Sequence, residues 1–80
     1  MGTGGYLVEW VREALVGVGG KGTIVDVCKQ LWRLHERDLR AMGDEFYTWQ
    51  YDVRWAAHVL RKRREARLTT DGRRSVWELT

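Results

Sequence analysis

Thr48-Trp49-Gln50-Tyr51-Asp52-Val53-Arg54-Trp55-Ala56-Ala57-His58-Val59-Leu60-Arg61-Lys62-Arg63-Arg64, running on through Glu65-Ala66-Arg67-Leu68-Thr69-Thr70-Asp71-Gly72-Arg73-Arg74-Ser75-Val76-Trp77-Glu78-Leu79-Thr80, is the stretch that decides the fold. At about 100° per residue, Trp49, Val53, Ala56, Ala57 and Leu60 share one face of a helix. Thr48 is the candidate N-cap. Tyr51, Arg54, His58 and Lys62 fall roughly opposite that face, with Arg61 beside them. Trp55 and Val59 lie on a third side, so Trp55 either packs against a neighbouring helix or is exposed for contact. The small Ala56 and Ala57 allow another helix to approach closely. Past the basic run Arg61–Arg64, Ala66-Arg67-Leu68 and Val76 to Leu79 read as paired strands. Asp71-Gly72, followed by Arg73 and Arg74, is a strong turn signal, with a loop of two residues or more. Alternation puts Trp77 and Leu79 on a face that covers helices and turns Val76 and Glu78 away. A helix over about residues 48–64 therefore runs directly into a basic-tipped hairpin.

Upstream, the helical period appears at Tyr6. Leu7, Val11, Ala14, Leu15 and Val18 share a face, with Trp10 at its margin. Gly17, Gly19, Gly20 and Gly22 then break it. Gly17 to Thr23 resembles a phosphate-binding loop only superficially, because Leu15 stands where the first glycine belongs and Gly22 follows Lys21 where Ser or Thr should hold magnesium. The segment reads as a connection between helices, with a short third strand near Lys21–Thr23. Thr23 followed by Asp26 is a capping arrangement. Ile24, Val27, Cys28, Leu31 and Leu34 then share one side of a second helix, flanked by Trp32, and Leu39 and Met42 keep the phase. This helix is expected from about Ile24 to Met42, with a break near Asp38 as the alternative and Gly43 as its stop.

Eighty residues make one domain, and 44% hydrophobic with 31% charged residues is a globular composition. The domain is expected over residues 6–80, and residues 1–5 as a disordered or appended terminus. Cys28 is the single cysteine, which suits a reducing compartment and excludes an intrachain disulfide. No signal peptide or membrane span is evident, so the cytoplasm is the expected location and a membrane is not an expected partner. The net charge of +3 is unevenly distributed. Residues 1–53 carry six basic and eight acidic groups, whereas residues 54–80 carry eight basic and three acidic ones. Such asymmetry is the footprint of a polyanion-binding surface.

Catalytic chemistry is not indicated. Cys28 and His35 fall on one helix face but about 10 Å apart along it, too far for one zinc ion. Neither a cofactor motif nor an acid pair in an enzyme-like setting appears. Cys28 reads as a small core residue and His35 as a helix-surface residue. DNA binding asks for less: a major groove about 12 Å wide accepts one helix. Gln50 is suited to adenine and Arg54 to guanine, while Tyr51 and His58 are placed for bases or phosphates. Arg61, Lys62, Arg73 and Arg74 suit phosphates, which position a protein without reading sequence. Asp52 repels phosphate, so a docked helix must turn it away or Arg54 must neutralise it.

The segment Tyr47 to Ala57, with Leu60-Arg61-Lys62 and Arg74-Ser75-Val76-Trp77-Glu78-Leu79-Thr80, resembles the winged-helix domains of Mrr-type restriction endonucleases and related bacterial DNA-targeting proteins. Those domains carry a similar Trp-Ala and Leu-Lys-Lys helix and a hairpin finishing in Gly-Val-Trp-Arg-Ile-Thr or a near variant. The similarity covers roughly residues 44–80. It departs at the helix end, where Arg63-Arg64-Glu65 replaces Lys-Ala-Gly, and no nuclease motif is present. The resemblance implies a mostly α winged helix, with a three-helix core and a small antiparallel C-terminal hairpin as its wing. It further implies double-stranded DNA as partner, a nucleoid-associated location, and an attached effector domain or protein partner in restriction-modification, repair or regulation. Thr48 is counted among the DNA-facing residues with Gln50, Tyr51, Arg54, His58, Arg61, Lys62, Arg73 and Arg74. The alternative is a winged helix that serves protein interaction or dimerisation through Trp55, Val59 and nearby aromatics. RNA ranks behind both, because no platform for stacking single strands is evident in the sequence.

Overall fold

The structure is a computed structural model that describes residues 5–80, apart from the side chain of Glu45. The expectation for residues 1–4 lies outside the described residues, and Gly5 already belongs to the first helix. The elements run α1 (Gly5–Gly17), β1 (Lys21–Gly22), α2 (Ile24–Arg40), a 3₁₀ helix (Gly43–Tyr47), α3 (Trp49–Lys62), β2 (Ala66–Asp71) and β3 (Arg74–Leu79). The strands form one antiparallel sheet in the order β1-β3-β2. This is a three-helix core closed by a C-terminal hairpin, a winged-helix arrangement as expected.

The apolar face of each helix meets the others in one core. Leu7, Val11, Ala14 and Leu15 of α1, Val27, Leu31 and Leu39 of α2, and Val53, Ala56, Ala57 and Leu60 of α3 are all buried. Trp77 and Ala66 close that core from the sheet, with Leu68 and Leu79 packed at its edge. The third strand near Lys21 is present: Lys21 pairs with Glu78 and Gly22 with Trp77. The stretch that resembles a phosphate loop is thus a helix end and a strand. Val76 does turn away from the helix core, yet it is 5% exposed rather than open to solvent.

Helix ends follow local chemistry. Thr23 caps α2 reciprocally, its Oγ1 accepting from the Asp26 amide at 3.1 Å while the Asp26 carboxylate accepts from the Thr23 amide at 3.0 Å. Those bonds hold the Asp26 carboxyl below its ordinary pKa of 3.8. A depressed carboxyl pKa contributes stability that is full above 3.8 and fades as the pH falls through the lower folded value. Thr23→Ala is therefore expected to cost about 1 kcal/mol at neutral pH. Part of that cost should disappear below pH 3.8, as read from denaturation midpoints on both sides of that value.

Two helices end in the same motif with different residues. After α1, the Gly20 amide reaches the Leu15 carbonyl at 2.7 Å around Gly19, whose φ is +90°. After α3, the Glu65 amide reaches the Leu60 carbonyl at 2.9 Å around Arg64, whose φ is +62°. Glycine adopts this left-handed conformation freely, whereas a side chain there costs roughly 1–2 kcal/mol. Arg64→Gly is expected to stabilise the fold by about 1 kcal/mol, after allowing for glycine's greater unfolded entropy. That corresponds to a melting-point rise of roughly 4–8 °C. An unchanged or lower melting point would contradict the assignment of strain to Arg64.

The second helix departs from expectation. It ends at Arg40 rather than Met42, and its break lies at His35 (φ −131°, ψ 27°), not near Asp38. His35 is also not a plain surface residue, since its side chain is only 16% exposed. Its ring stacks on Trp10 with centroids 3.8 Å apart, and its Nε2 lies 2.7 Å from Glu13 Oε1. These contacts all come from α1. They were invisible in the sequence because they join residues more than twenty positions apart. In the hairpin, strands extend to Asp71 and from Arg74, leaving Gly72-Arg73 as the loop. Gly72 has φ +67°, which meets the requirement of a tight hairpin turn that starts with glycine.

Candidate nucleic-acid interface

The buried stripe of α3 divides its outer surface into two flanks. Gln50, Arg54 and His58 project toward the start of α2 and the wing, where they line two hollows. The smaller hollow, about 210 Å³, is bounded by Ile24, Arg54, His58, Leu68, Ser75 and Trp77. The larger, about 890 Å³, lies between α2, the 3₁₀ helix and the first turn of α3. Ile24 and Arg54 border both, so Arg54 stands between them. His58 meets Trp77 edge to face at 5.0 Å, which ties this flank of α3 to β3.

The expected site residues divide accordingly. Gln50, Arg54 and His58 come together, and Arg61 follows Arg54 by seven residues, so two turns place it along the same flank. Tyr51, 78% exposed, and Lys62 point outward opposite the core. Arg73 and Arg74 are exposed at the hairpin tip and at the start of β3. Thr48 does occupy the N-cap position, but its side chain makes no capping bond. Its ψ of −3° departs from the extended conformation that aims a cap hydroxyl at the next turn. Trp55 is 52% exposed and so is not a core residue. Asp52 and Arg54 are roughly 200° apart around the helix axis, so the flank that presents Arg54 turns Asp52 away.

Ion pairing sharpens the charge asymmetry. Two of the three acids after residue 53 are engaged by arginines outside the candidate site: Glu65 by Arg12 of α1, and Glu78 by Arg67 at 2.9 Å. Among the described residues, Arg54, Arg61, Lys62, Arg73 and Arg74 have no ion pair within 4.0 Å. Arg74 contributes to the lowered Asp26 pKa across the gap between wing and α2, after the Thr23 bonds that dominate it. Cys28 is half-buried beside the larger hollow, where burial pushes its thiol pKa up and Arg54 partly offsets that rise.

Two features escaped the sequence reading. Lys29, Arg33 and Arg37 are exposed and four residues apart on α2, a second basic row without ion pairs among the described residues. The spacing was the available signal, hidden by an acidic balance over the first 53 residues. The second feature is the aromatic wall of the larger hollow, formed by Trp32, Phe46, Tyr47 and Trp49. Phe46 and Tyr47 belong to no periodic segment of the sequence; the 3₁₀ helix is what places them. Comparison with family models, curated proteins and solved structures finds no match to this chain.

Proposed function

We propose that this domain binds duplex DNA, with α3 in the major groove and the β2–β3 hairpin on the adjacent phosphate backbone. One observation supports the reading: the flank of α3 that bears Gln50 also bears Arg54 and Arg61, and Arg54 shares a hollow with Leu68, Ser75 and Trp77 of the wing. Arg54, Arg61 and Lys62 of α3 and Arg73 and Arg74 of the wing have no ion pair within 4.0 Å among the described residues, whereas Arg67 of the wing is taken up by Glu78. Unpaired cations on two neighbouring elements suit a regularly charged polyanion, which releases counterions as they engage it. The chain is read as a targeting module rather than an enzyme, working in the cytoplasm on the nucleoid. The motif resemblance over residues 44–80 to Mrr-type winged helices, to which no family model adds a match, is the ground for proposing a place within a larger restriction, repair or regulatory system. No helix among the described residues is long and apolar enough to cross a membrane.

Replacing both Arg73 and Arg74 with alanine should weaken binding to all duplexes by a similar factor, because backbone contacts position without specifying. Comparing affinities for unrelated duplexes checks this. A loss confined to one sequence would show that the hairpin reads a groove.

A second reading rests on Trp55, 52% exposed, and Tyr51, 78% exposed, which are four residues apart on α3. Such aromatics suit a protein interface, either with a partner or in a dimer. Trp55→Ala separates the two readings. It leaves DNA affinity intact if α3 docks through its Arg54 flank, and it abolishes self-association if the aromatics form a dimer contact.

A further inference from the structure

The hollow of about 890 Å³ lies within the size range of ligand sites, roughly 300–1,000 Å³. Four of the ten described residues that line it are aromatic, and Ile24, Val25 and Cys28 complete an apolar wall. Trp32 and Trp49 are stacked with centroids 6.1 Å apart, Phe46 lies 6.0 Å from Trp32, and Tyr47 stands edge-on to Phe46 at 5.3 Å. Tyr47 is 80% exposed, so most of its ring is open to an incoming group. Lys29 from α2 and Arg54 from α3 border the hollow from different helices, and no acid is among the described residues that line it. Neither cation has an ion pair within 4.0 Å among the described residues. Gln50 adds an amide, both donor and acceptor, at the same rim.

From this arrangement we infer that the hollow receives an unpaired nucleotide of the bound strand, its base against Tyr47 and its flanking phosphates at Lys29 and Arg54. The inference rests on the DNA-binding reading and adds a preference for duplexes that contain an unpaired base. Aromatic rings flanked by unpaired cations are the combination that holds single-stranded nucleotides, since every base has a π-face and every linkage a charge. A second copy of the chain fits less well, because facing hollows would set like charges against each other. An aliphatic peptide segment would leave Lys29 and Arg54 without partners. The unpairing cost falls on the nucleic acid and is least where a base is already unopposed.

The test is a titration of the whole chain with a continuous duplex and with the same duplex carrying one unopposed adenine. The unopposed adenine should raise affinity by roughly tenfold. Tyr47→Leu should remove that gain and Tyr47→Phe should keep it, with both variants melting like the parent because residue 47 is exposed. Equal affinity of the parent chain for both duplexes overturns this inference and leaves the duplex-binding reading in place. Binding to neither overturns both. A gain that survives Tyr47→Leu places the unpaired base elsewhere, and a concentration-dependent dimer that Tyr47→Leu dissociates makes a second copy the occupant; either result overturns the inference.

Discussion

Trp49→Ala is expected to lower folding stability by about 3–5 kcal/mol, the range for truncating a buried large aromatic. Trp49 is 7% exposed, opens α3, and stacks on Trp32 at 6.1 Å while joining the central core cluster. Its removal deletes apolar burial and leaves a cavity where α2 and α3 meet. A domain of this length has roughly 4–12 kcal/mol in total, at 0.05–0.15 kcal/mol per residue. The variant should therefore be marginally folded or unfolded at 37 °C. Trp55→Ala, on the same helix but 52% exposed, should change stability by only about 0.5 kcal/mol. Urea denaturation of the pair measures the contrast. Equal losses would mean that α3 is not rotated as described.

The second large effect concerns recognition rather than folding. Gln50→Ala and Arg54→Ala should leave the melting temperature nearly unchanged, since both side chains are exposed. Each should cost about 1–3 kcal/mol of discrimination between duplexes, the worth of one bidentate base contact. The two residues lie one turn apart, ~6 Å along the axis, and so reach neighbouring base pairs. Arg54 also borders the larger hollow, so its loss should in addition reduce any gain from an unopposed base. Folded Gln50→Ala and Arg54→Ala variants with unaltered selectivity would leave a winged helix whose partner is something other than DNA bases.

The fold was legible where one physical signal governed a whole segment. The five apolar positions of α3, the Thr23–Asp26 box and the glycine at the hairpin turn are local features, and each was realised. The short strand at Lys21 was also expected, although its pairing with Glu78 is long-range. Long-range packing defeated the rest. The break falls at His35, whose ring contacts Trp10 and Glu13 of α1, and Val76 is buried on the side that alternation turns away from the helices. Thr48 has a favoured cap residue type, yet its backbone angles give its hydroxyl no capping bond. For the candidate site, the composition of α3 and the wing pointed to the cations. The aromatic hollow needed the 3₁₀ helix to set Phe46 against Trp32 and Tyr47 at the rim beside it.

Binding of duplex DNA as a function of salt concentration tests the central claim most directly. Four to six phosphates neutralised by α3 and the wing give a slope of log affinity against log salt of roughly −3.5 to −5.5. Removing Arg73 and Arg74 together should make that slope shallower by roughly two phosphate contacts. Affinity that stays level from low to moderate salt, in a chain shown to be folded, would contradict the account and direct attention to the exposed aromatics of α3.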